Sequence, residues 1–405
     1  MALSTTTLSA SALLVLLLAA LQQLQLPRIL DLAFGLTRAS EPLAAFPGYR
    51  CRRLRADARL QACEDMWLSE ASRVLFLACS DSLGRREWMP NAARFNVSGR
   101  SASDAVLAMD VDSPVDSGFA LRALQTPGYA GTNGDGRLQL CGMTGIDDEG
   151  GAVRLWLVDM KPSVDPATGA FTDHAQTGAN STIELFRAGP GAAELQHVRT
   201  FFAPQITTPN RVAALGGEGL GEGFYFSNDF GAYKVGLTRN LAPIVGYGDV
   251  SFCDAASCKT VLAGLKYPNG LVRGLDGLLY VPSSMVGGID VYAPQADHSL
   301  TKVTHIDTEY SIDNLSVDAE GDIYAAAFPQ GLKVLQAYDD PLNSFPPSAV
   351  LRVRKTPDGY EVTKILEDRD GEVLPASTTV VHDAKTGRLF LSSVISPFIA
   401  VCEKV

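Results

Sequence analysis

Glu64 and Asp65, Asn210, Asn269, and the adjacent Asp313 and Asn314 are the side chains of this sequence whose oxygen chemistry and repeated setting together point to a site. Carboxylate and amide oxygens gathered around one point suit a hard cation such as calcium, which takes oxygen ligands from several parts of a chain. Glu64 and Asp313 set two negative charges against the three neutral amides Asn210, Asn269 and Asn314, which matches one divalent ion. Taken singly, each is an ordinary turn former. What distinguishes them is a shared place at the start of a short apolar strand.

That place recurs six times. Glu64–Leu68 is followed by Arg73–Leu77; Met143–Ile146 turns through Asp147–Gly150 into Leu155–Val158; Asn210–Leu215 leads to Phe224–Phe226. Asn269–Val272 turns at Asp276-Gly277 into Leu278–Val281; Asp313–Asp318 turns through Glu320-Gly321 into Asp322–Ala325; Thr378–Val381 turns at Thr386-Gly387 into Leu389–Leu391. The intervals, about 45 to 80 residues, are irregular, so the repetition is structural, and each suits four short strands with loops. Six four-stranded antiparallel sheets in radial array make an all-β, six-bladed β-propeller, whose closure protects its strand edges. A β-sandwich or a pair of β domains is the alternative. In a propeller the innermost strands run beside the central channel, so equivalent strand starts converge on the axis.

These same residues resemble the serum paraoxonase/arylesterase family. The likeness is carried by Cys63-Glu64-Asp65-Met66, Pro209-Asn210, Ser227-Asn228-Asp229, Pro268-Asn269-Gly270 and Asp313-Asn314-Leu315-Ser316-Val317-Asp318. It runs from Cys51 to Glu403 and is strongest between Asn269 and Gln336. The resemblance implies a six-bladed propeller with two calcium ions in its channel and hydrolysis of lactones, aryl esters and some organophosphates. It implies that Glu64, Asn210, Asn269, Asp313 and Asn314 hold the catalytic calcium, and that Asp65 faces a second, structural one.

Two departures qualify this. Where family members place an acidic residue after the amide, this chain has Arg211. A fixed cation there repels a second calcium and can itself pair with Asp65, so one calcium is predicted. The family's histidine pair, thought to activate water, falls on Cys141 and Met160, and a further histidine falls on Phe328. The five histidines present, His174, His197, His298, His305 and His382, match none of these positions. Without imidazole, base catalysis near neutral pH needs calcium-bound water or a carboxylate raised in pKa. Asp229 is the candidate carboxylate, and the alternative is that it only closes a turn. Cys141 as a nucleophile lacks an assignable histidine neighbour, so a buried inert thiol is expected.

Length and composition, 405 residues with 46% hydrophobic content, fit one large domain, and a net charge of −11 argues against nucleic acid and anionic membranes as partners. Residues 1–30 carry an apolar run from Ala10 to Leu21 and read as a secretory signal, or as a retained anchor that tethers the chain to a membrane or lipid surface. Residues 31–50 connect to a propeller over 51–405. The cysteines suit an oxidising compartment. Because a propeller's termini meet in one blade, a Cys51–Cys402 bridge would lock the ring, and the family has such a bridge. Cys253 and Cys258 flank a loop that a second disulfide would staple, leaving Cys63, Cys79 and Cys141, an odd number with at least one free thiol. Sequons at Asn96 and Asn180 are expected to carry glycan, whereas the one at Asn314 overlaps the ligand set. The Pro/Gly-rich stretch 161–180 is long enough to cover the channel and bring His174 toward the metal.

Together these features predict a secreted, calcium-dependent hydrolase of lactones or aryl esters acting on a small molecule. The rival is a non-catalytic propeller in which calcium pins the blades and the protein serves as a binding or interaction module. Oligomeric state is not legible in the sequence.

Overall fold

The computed structural model describes residues 21–115, 118–216 and 223–405; the first two-thirds of the expected leader lies outside them. The chain forms six four-stranded antiparallel sheets. Blade 1 runs outward through Asp65–Ser69, Val74–Cys79, Ala105–Val115 and Gly118–Leu124. Blades 2 to 5 start at Leu140–Asp147, Pro209–Ala214, Val272–Arg273 and Ser311–Val317. Blade 6 combines Thr379–Asp383, Arg388–Ser392 and Ile399–Lys404 from the end of the chain with Tyr49–Leu54 from its beginning. The innermost strands of successive blades touch, and that of blade 1 touches that of blade 6, so the ring is closed.

Each blade is packed on both faces by its neighbours, which explains apolar runs where a one-sided sheet would alternate. The second strands of blades 1, 3, 4 and 5, Val74–Cys79, Phe224–Asn228, Leu279–Pro282 and Ile323–Phe328, are buried at every residue. Closure is doubled at blade 6: Cys51 stands opposite Cys402 in the strand register, and the two are disulfide-bonded. Cys253–Cys258 is a second disulfide and Cys63–Cys79 a third; Cys141 is free and buried.

Among the described residues five α-helices decorate the ring: α1 (Leu26–Phe34), α2 (Ser82–Glu87), α3 (His174–Thr177), α4 (Gly236–Val245) and α5 (Gly331–Ala337). α1 straddles the expected end of the leader and is fastened to blade 4 by Arg28, which donates to Val286 O at 3.2 Å and pairs with Asp307 at 3.2 Å. No helix among the described residues is long and apolar enough to cross a membrane.

Candidate active site at the channel

A β-bulge lies at the head of three innermost strands. The pairing register shifts between Leu140 and Met143, between Pro209 and Val212, and between Ile312 and Leu315. The residues released from the ladder are Cys141 and Gly142, Asn210 and Arg211, and Asp313 and Asn314. A bulge re-aims side chains that regular pleating would send alternately into the two faces of the blade. In blade 4 the corresponding stretch, Asn269 to Leu271, precedes the short inner strand and is entered through a bridge from Pro268 to Ser283.

Close backbone approach brings these segments together. Asn314 Nδ2 donates to Glu64 Oε1 at 2.8 Å and to Thr379 Oγ1 at 2.9 Å. The Glu64 carbonyl accepts from the hydroxyls of Thr378 and Thr379 at 2.8 and 2.9 Å, tying blade 1 to blade 6. Asn269 Nδ2 donates to Ser284 Oγ at 2.8 Å, and that hydroxyl donates to Ile312 O at 2.6 Å. Two glycines make room: a Cβ on Gly270 would lie 1.8 Å from Asn314 Oδ1, and one on Gly142 would lie 2.1 Å from Asn210 O.

With both amides oriented by their nitrogens, four buried side-chain oxygens remain without a hydrogen-bond partner: Glu64 Oε2, Asn210 Oδ1, Asn269 Oδ1 and Asn314 Oδ1. They come from blades 1, 3, 4 and 5. Buried acceptors are seldom left unsatisfied, and oxygens alone are the donor set of a hard cation. Burial, aggravated by the neighbouring Asp65 carboxylate, pushes Glu64 up to about 8. Burial and then the Glu64 and Asp65 carboxylates raise Asp313 well above the usual carboxylate range. Carboxylates crowded in this way are neutralised either by protonation or by a bound cation.

Asp65 presents the opposite picture. Its Oδ2 accepts from Arg211 Nε and from Met143 N, each at 2.7 Å; its Oδ1 accepts from Met66 N at 2.8 Å and Thr379 Oγ1 at 3.1 Å. Arg211, only 3% exposed, also bonds the carbonyls of Met143 and Leu315. Neither Asp65 oxygen is left for an ion.

Asn269 and Asp313 also line a cavity of about 390 Å³. Its walls are largely apolar, with Ile29 and Leu32 of α1, Phe328, Leu332 and Val334 near α5, and Val394. Arg239 of α4 is its buried cation, held by the carbonyls of Pro90 and Asn91 at 2.9 and 2.7 Å and stacked over Phe230. Beside it, Asp229 is fully buried, and burial raises it to about 8 against the opposing pull of Arg239 and of the Thr208, Phe230 and Asn210 donors around it.

The positions expected for family histidines hold Cys141, buried with its thiol pushed up by burial, Met160 in the apolar core, and Phe328 in the cavity wall. His174 does not turn toward the site: it is buried edge-on to Trp88 with Nε2 3.1 Å from Ser163 O, so the 161–180 stretch folds on itself. Asn96 is exposed, Asn180 is half-buried and Asn314 is wholly buried. Asp318, Glu320 and Asp322, in the turn of blade 5, form a separate carboxylate group already paired to Arg354 and His382. Three features escaped sequence reasoning: the bulges, the part of α1 in the cavity wall, and the role of Thr378 and Thr379. The last had a signal, because both threonines open the sixth repeat.

The family model described as Arylesterase matches residues 166–399. Serum paraoxonase/arylesterase 2 of Gallus gallus is 30% identical over 210 residues, covering 51% of this chain and 57% of that protein. Serum paraoxonase/arylesterase 1 of Homo sapiens is 29% identical over 222 residues, covering 53% and 59%. The chain thus aligns with little more than half the length of these relatives. Among solved structures, a gluconolactonase-like protein aligns with 91% of this chain and 97% of its own at 17% identity and a TM-score of 0.49. By the match of the family model over more than half of its length, this chain belongs to the arylesterase family.

Proposed function

We propose that the protein hydrolyses esters or lactones of small molecules in the channel cavity, with one calcium ion held by Glu64, Asn210, Asn269, Asp313 and Asn314. The supporting observation is the set of four buried, unpartnered oxygens drawn from four blades and backed by Asp313. Bound there, calcium supplies a Lewis acid for the substrate carbonyl and for the negative charge that develops on it.

The chain's own residues do the rest. Ser284 and Glu64 hold the amide nitrogens of Asn269 and Asn314, which fixes the orientation of their oxygens before substrate arrives. The apolar walls of α1 and α5 receive the aryl or acyl body and exclude water from it. Asp229, whose burial makes its carboxylate more basic, takes the proton of the attacking water in place of an imidazole. The second calcium of the family is replaced by Arg211, which satisfies Asp65. Three disulfides suit an extracellular setting, and residues 1–30 deliver the chain there or anchor it.

A second reading has its own support. Cys141 and Met160 stand where a water-activating histidine pair is expected, and Phe328 where a further histidine is, which favours a calcium-pinned binding module. Hydrolysis of phenyl acetate and of γ- and δ-lactones, with and without chelator, separates the two. Chelator-sensitive turnover selects the enzyme; loss of thermal stability on chelation with no turnover in its presence selects the scaffold.

A further inference from the structure

The Cys63–Cys79 disulfide sits where the ladder of blade 1 ends. Asp65 is the last residue of its strand paired in register, opposite Ala78; beyond it two backbone bonds join the segments, Glu64 N to Ala78 O at 3.1 Å and Ser80 N to Gln61 O at 3.4 Å. Glu64 lies between that last pair and the half-cystine at 63. Its carbonyl is held from blade 6 by Thr378 and Thr379, so the covalent bridge closes the remaining side. Both cysteines are buried in the blade 1 core with Leu60, Met66, Leu77 and Leu107. On the other arm, Cys79 leads into Ser80, whose hydroxyl bonds Asp104 at 2.6 Å, and into Asp81, the N-cap of α2. The bridge therefore ties the backbone of Glu64 to a segment that is itself anchored twice.

We infer that Cys63–Cys79 is a positioning clamp for Glu64, so that cation affinity in the channel depends on this disulfide. The inference rests on the calcium site proposed above. Where strand pairing stops, two peptide hydrogen bonds, one of them stretched to 3.4 Å, hold the backbone loosely; a cross-link between them removes the remaining freedom, and a ligand fixed beforehand loses less entropy on binding.

The test compares calcium affinity, measured by competition with a chelating dye, in three proteins: wild type, the Cys63→Ala/Cys79→Ala double variant, and a Cys253→Ala/Cys258→Ala control whose bridge lies on the outer strands of blade 3. The clamp predicts a Kd at least tenfold higher in the first variant and within twofold of wild type in the control. A folded Cys63→Ala/Cys79→Ala protein with unchanged Kd overturns it. A measurement on the wild type covers the case of a variant that does not fold. By reciprocity, calcium must make Cys63–Cys79 harder to reduce by the same factor. A tenfold effect is about 30 mV for a two-electron couple, read by alkylation and mass spectrometry in dithiothreitol redox buffers. An identical midpoint with and without calcium overturns the clamp. Wild-type protein that binds no calcium removes the site itself, a different failure from calcium bound equally well with the bridge absent.

Discussion

Replacing Arg211 by methionine is the sharpest probe of how this channel balances its charge. The substitution keeps the length and much of the apolar stem but deletes the guanidinium that donates to Asp65 Oδ2 at 2.7 Å. Asp65 is 0% exposed and Arg211 3%, so the pair lies out of water. Removing one partner of such a pair costs about 3–5 kcal/mol, because it strands a charge in a poorly polarisable interior. Asp65 keeps Met66 N, Met143 N and Thr379 Oγ1 as donors, which places the expected loss near the lower end, about 3 kcal/mol. With an unfolding entropy of about 2.1 cal/mol/K per residue over roughly 350 residues, this is a fall of about 4 °C in Tm. Arg211→Met combined with Asp65→Asn removes both charges and should recover much of that loss. The Arg211→Met variant should also gain a second calcium response, since Asp65 Oδ2 loses its charged partner. Calcium at 100 times its Kd then adds about 2.7 kcal/mol through linkage. Calorimetry of the three proteins across a calcium series measures all of this. An Arg211→Met protein as stable as wild type, a double variant no better than the single one, or a wild type that already holds two tight calcium ions would refute the reasoning.

Other expectations follow from the same geometry. Glu64→Gln or Asp313→Asn should lose both calcium binding and turnover; metal analysis with a phenyl acetate assay checks this, and normal activity in either variant excludes the proposed ligand set. Gly270→Ala places a Cβ 1.8 Å from Asn314 Oδ1 and 2.5 Å from Asn314 Cα, so it should cost about 1–3 kcal/mol in thermal unfolding and weaken calcium as Asn314 is displaced. Asp229 must be ionised to accept a proton, and burial raises it to about 8, so kcat/KM should climb with pH toward that value and fall about tenfold per unit below it. Asp229→Asn should abolish that limb, and a flat wild-type profile between pH 6 and 9 would exclude Asp229 as the base.

The propeller was legible because its repeat is written twice over, as strand pairs with Gly-containing turns and as polar residues at matching strand starts. Apolar runs such as Val74–Cys79 signalled strands buried on both faces, and Cys51 with Cys402 marked the seam. Residue types alone also supply two carboxylates and three amides, the set on which one divalent ion is proposed, and an arginine two blades from Asp65 in sequence. The tertiary structure decided how those atoms are spent. Asn314 turns its nitrogen to Glu64 and leaves its oxygen free because a bulge lifts it off the ladder and Gly270 makes room for it; no one-dimensional pattern encodes that choice. Asp65 is saturated and Glu64 is not, although the two are adjacent in sequence. The difference lies in neighbours contributed from about 80 to more than 300 residues away, Met143, Arg211 and Thr379. Local sequence determines which groups a strand can offer, while hydrogen-bond partners reached only through ring closure determine which of them remain unsatisfied and able to bind.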